Sequence, residues 1–117
     1  HVWLRNYDDW VDFIKSGVGV IVVGALWGRW GPDANGIVNN FNGGGRGGHA
    51  WVVPDWIGDD FWMLNSHGVN WGQKGWARIT RRFIDQLHQS RYTAVAGITD
   101  MDVPEVRDFS WLKDHYL

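Results

Sequence analysis

Apolar positions along the chain switch between two periods. From Asn6 to Gly17 acidic residues come first, Trp10, Phe13 and Ile14 recur at helical spacing, Lys15 follows late, and glycine ends the run. That order predicts a short amphipathic helix whose charges complement its dipole. The next run, Val18-Gly-Val-Ile-Val-Val-Gly, is β-branched and bounded by glycines, which predicts a buried strand. Residues 27 to 48 hold Trp27, Trp30, Pro32, Asn35-Gly36, Asn39-Asn40 and the glycines from Gly43 to Gly48, a density of turn-formers that predicts an extended loop region. Beyond it, His49-Ala-Trp-Val-Val-Pro and Asp60-Phe-Trp-Met-Leu-Asn predict an antiparallel pair joined by a turn over 55–59. A strand over 75–80, a helix over 80–89 with Phe83, Ile84 and Leu87 on one face, and a strand over 92–98 complete the pattern. The last twenty residues or so are mixed and acidic, with Phe109, Trp111 and Leu112 as docking side chains.

The elements imply a mixed α+β domain, and the length of 117 residues implies a single one, 1–117, with no repeat or linker. Ten Trp supply much apolar area in few positions, enough for a core and for a groove or partner surface. The 11 Lys and Arg against 13 Asp and Glu are scattered and nearly balanced, so neither nucleic acid nor an anionic membrane surface is expected as a partner. The longest apolar run, Val18 to Leu26, is too short to span a bilayer. The chain opens on His1, without the charged-then-apolar order of a signal peptide, and its start reads as a processed end. Compartment is undetermined.

The count of zero cysteines excludes disulfides, thiolate metal sites and a thiol nucleophile from these residues. His67, His88 and His115 lack the spacing of a metal site, and no metal or cofactor is expected. The glycines before His49 lack the Gly-Lys-Ser/Thr ending of a phosphate loop and instead allow a tight turn. Ser66 has no nucleophile-elbow glycines around it, which argues against a serine hydrolase.

One constellation carries chemistry. Gly48-His49-Ala50 is followed by Asn65-Ser66-His67-Gly68-Val69-Asn70-Trp71-Gly72-Gln73-Lys74-Gly75-Trp76, with His49 and Asn65 separated by 65 − 49 = 16 positions. This arrangement resembles the segment of papain-like cysteine peptidases that bears the catalytic histidine and asparagine. The resemblance covers about residues 8–100 and leaves 101–117 as a C-terminal extension. It implies the C-terminal lobe of that family, a twisted antiparallel sheet curled towards a half-barrel with short flanking helices. It also implies His49 as the base and acid, Asn65 as the acceptor that orients its ring, and Gly48 and Trp71 beside the substrate. The resemblance breaks at His67, where the family has a tryptophan that covers the histidine–asparagine bond. It also lacks the other lobe, which in the family carries the cysteine and an oxyanion-binding glutamine. The implied function is the C-terminal part of a hydrolase that cleaves peptide bonds through a thioester, its cysteine coming from an N-terminal lobe or companion chain. The alternative is an inactive lobe of the same origin, kept as a structural or binding module in a larger assembly. An NlpC/P60-type amidase of similar topology is the third and weakest reading.

Overall fold

A computed structural model describes residues 1–28, 31–42, 47–64, 72 and 74–99. The expected docking residues Phe109, Trp111 and Leu112, and the whole extension 101–117, lie outside the described residues.

The first helix, α1 (Tyr7–Ser16), forms where the periodicity places it. Asn6 caps it, the side chain accepting from the backbone N–H of Asp9 at 2.9 Å and so pairing a donor that the first turn leaves open. Gly17, at φ 70°, ends it by donating its N–H to the Ile14 carbonyl. The second helix, α2 (Arg81–Gln89), is capped by Thr80, whose Oγ1 accepts from Phe83 N–H at 3.2 Å.

The strands are β1 (Val2–Trp3), β2 (Gly19–Trp27), β3 (Ile37–Val38), β4 (Gly47–Ile57), β5 (Asp60–Leu64), β6 (Trp76–Ile79) and β7 (Ala94–Thr99). They form one sheet in the order β1-β7-β2-β4-β5-β6-β3, antiparallel throughout except at the short β3–β6 pair. The fold is therefore mixed α+β, with both helices on one face of the sheet. Trp10, Phe13 and Ile14 of α1 and Phe83, Ile84 and Leu87 of α2 close over alternate strand residues, among them Ile21, Val23, Trp51, Val53, Phe61, Met63 and Ile79. The 3.6-residue period of the helices thus meets the two-residue period of the strands in one core.

The strand limits differ from the sequence expectation in several places, β2 running on to Trp27 and β4 starting at Gly47. The β4 strand does not end at Pro54 but runs to Ile57, which narrows the turn to Gly58–Asp59. The register shifts between Val52 and Asp55, so the proline, which has no N–H to donate, sits in an interruption of the ladder. The region 27–48 is not wholly irregular: Ile37 and Val38 pair with Arg78 and Ile79. The unexpected β1 pairs with β7 through Val2–Gly97 and Trp3–Ala96. Among the described residues, no helix is long and apolar enough to cross a membrane.

Candidate functional site

His49 stands near the start of β4, directly opposite Ala25 on β2, with Gly48 opposite Leu26. The buried pairs Ile21–Val53, Val22–Val52 and Val23–Trp51 hold that register, because a slip of one residue would turn side chains packed on one face of the sheet onto the other. The position of His49 is thus a consequence of core packing further along the same two strands.

The imidazole is half-buried and lies nearly parallel to the indole of Trp51, two residues on and on the same side of the strand, with centroids 5.8 Å apart and planes at 27°. Trp51 is fully buried, and its ring meets Phe83 of α2 at 6.5 Å and 61°. Phe83 in turn meets Phe41 edge-on at 5.5 Å. A chain of packed rings therefore runs from α2 to His49 and fixes one side of the imidazole plane.

This end of the sheet opens on a depression of about 420 Å³ that wraps the ends of β2, β4 and β7 and is lined by residues of both faces. Leu26, Ala50, Tyr92 and Ala94 give it apolar walls, and His49 and Gly48 lie at its rim. Tyr92 is 64% exposed. Gly48 is exposed, and a methyl group built on it would meet no atom within 4 Å, so packing does not demand glycine there. Its smallness leaves the approach to His49 open.

Asn65 and Trp71, like Ser66 and His67, lie outside the described residues. The last described pair of the β4–β5 hairpin is Val52 with Leu64, so β5 returns alongside β4 to three residues from His49 and one residue from Asn65. The hairpin expected between the two candidate residues is present over the described part.

Trp51 beneath the imidazole and Tyr92 across the depression carry no motif signal. A strict two-residue alternation from His49 would have placed Trp51 on its side of the strand. Tyr92 reaches the site only through the pairing of β7 with β2, a contact between segments some 70 residues apart in the chain, as in Gly24 with Ala94. Among the described residues no group of three or more His, Asp or Glu gathers as a metal site would require. No protein-family model matches the chain, and neither does any curated protein.

Proposed function

We propose that this chain is the C-terminal part of a papain-like cysteine peptidase, acting on peptide bonds together with a cysteine-bearing N-terminal lobe or companion chain. The observation that supports the reading is the placement of His49: at a strand end, braced on one side by Trp51, and at the rim of an open apolar depression. A general base needs that combination of fixed orientation and access.

In this reading His49 takes the proton from the companion's cysteine, and the thiolate attacks the peptide carbonyl carbon. The resulting imidazolium returns the proton to the departing amine, leaving a thioester. Water, deprotonated by the same imidazole, then cleaves the thioester and regenerates the thiol. Asn65 accepts a hydrogen bond from the other ring nitrogen and keeps the imidazole turned to the sulfur. An apolar side chain of the substrate fills the depression between Leu26 and Tyr92.

The test is to read the coding sequence upstream of His1 for a glutamine followed by Gly-x-Cys-Trp, and to co-express that segment with this chain. The assembled protein should hydrolyse peptides, and His49→Ala should lower kcat by about a thousandfold or more. Serine, alanine or glycine in place of the cysteine would overturn the peptidase reading. That result would favour the second one, a papain-like lobe serving as a binding module, which the absence of cysteine and the histidine at position 67 both support.

A further inference from the structure

The two helices meet through a hydrogen bond unrelated to His49. Trp10 of α1 is fully buried, and its indole Nε1 donates to Nε2 of His88 on α2 at 2.8 Å. The rings stand edge-on, 5.9 Å apart and at 76°. An indole N–H is only ever a donor, so the bond exists only while His88 Nε2 carries no proton and the ring's single proton sits on Nδ1.

We propose that the Trp10–His88 pair is a proton-sensitive latch, closed at neutral pH, which opens when His88 becomes an imidazolium and loosens α1 from α2. Protonation sets two N–H groups head to head in a half-buried site and leaves the indole donor without its acceptor, in an environment where water does not readily replace it. The charged groups facing His88 are Asp85, from its own helix, and Asp9, from α1. Both favour the imidazolium and give it somewhere to turn once the latch opens. Asp9 is already engaged by Arg5, whose backbone N–H lies 2.9 Å and whose Nε lies 3.3 Å from the Asp9 carboxylate.

Burial outweighs the two carboxylates and holds the His88 pKa below its ordinary value. The folded chain therefore binds this proton more weakly than the unfolded chain. The stability that the pair contributes is complete above the ordinary histidine range and is lost as pH falls through the lowered folded value. Each tenfold weakening of proton binding on folding removes about a factor of ten from the folding equilibrium constant, once pH is below both values. Elsewhere in the α1–α2 contact, the Arg81 guanidinium lies 4.6 Å from the Tyr7 ring centroid. Burial and Asp59 raise the Tyr7 pKa further above its already alkaline ordinary value, so between Tyr7 and His88, the two titrating members of the contact, the response near neutral pH falls to His88.

The experiment follows the Trp10 indole N–H by ¹⁵N NMR from pH 7.5 to 5, identifying the signal by its loss in Trp10→Phe, alongside urea midpoints for the wild type and His88→Gln. Glutamine keeps an acceptor oxygen and does not titrate. The expected result is a Trp10 signal that moves with the same midpoint as the His88 ring protons, below pH 6.5, and a urea midpoint that falls in the same window in the wild type but far less in His88→Gln. A Trp10 signal that stays in place while His88 titrates overturns the latch, and so does an equal acid loss in His88→Gln. The wild-type titration decides the matter by itself should the glutamine variant not fold.

Discussion

Three glycines show how differently single positions are constrained in this chain. At Gly97 on β7, Phe13 of α1 crosses the strand so closely that a Cβ would lie 2.4 Å from its ring. Phe13 is itself held in the core, so Gly97→Ala should cost about 1–3 kcal/mol in urea unfolding, and Phe13→Leu in the same chain should recover part of it. Gly17 has open space around it, and its constraint is the backbone, at φ 70°. Its alanine variant should lose about 1–2 kcal/mol with no change in packing. Gly48 has neither constraint, so Gly48→Ala should leave stability within about 0.5 kcal/mol. In the proposed assembled enzyme, that silent variant would probe the groove alone, through KM. His49 stands out in the sequence as a candidate because its neighbours form a motif. Its brace, Trp51, was legible only as one more apolar residue, since nothing in a linear pattern distinguishes a core indole from one that also stacks on a histidine.

Both helices were legible because the signals that start, face and stop them are local: Asn6, Thr80 and Gly17 act within one turn of themselves. Thr80 does more than cap. Its hydroxyl also donates to Asn39 Oδ1 at 2.7 Å, tying the α2 start to the residue that follows β3. Thr80→Ala should therefore cost about 1–2 kcal/mol, at the upper end for a lost N-cap, as a lowered urea midpoint with an unchanged m-value. Asn39→Ala, which removes only the second bond, should cost less. Strand limits were less legible because they depend on partners distant in sequence. Pro54 reads as a stop until β5 pairs beyond it, and the two-residue strands β1 and β3 exist only through β7 and β6. The Asn65 and Trp71 half of the candidate site rests on the motif alone.

Across the whole molecule, the sheet carries apolar residues on its second face as well as on the face that the helices cover. Directly paired residues on the face away from the helices form one row over six strands: Trp3, Ala96, Val22, Val52, Leu64 and Trp76. An antiparallel sheet with one solvated face turns the polar residues of each strand to that face, and this row has none. Its members are not equivalent. Val52, at 1% exposure in the middle, has Val22 and Leu64 as its neighbours in the row, whereas Trp3, on the edge strand β1, is 61% exposed. Val52→Asp would bury a carboxylate without a partner and should unfold the chain or cost more than about 4 kcal/mol. Trp3→Ser should change stability by about 0.5 kcal/mol or less, because its ring is largely in water already. An exposed end to an apolar row should also be detectable directly. The native chain at neutral pH should enhance the fluorescence of an apolar dye, and Trp3→Ser should reduce that enhancement at an unchanged urea midpoint. In the proposed enzyme a companion lobe meets the His49 end of this same face, where Leu26, Ala50 and Ala94 line the depression. Its addition should quench dye binding there but spare the contribution removed by Trp3→Ser. Dye fluorescence that the companion leaves unchanged would place its contact away from the sheet face altogether.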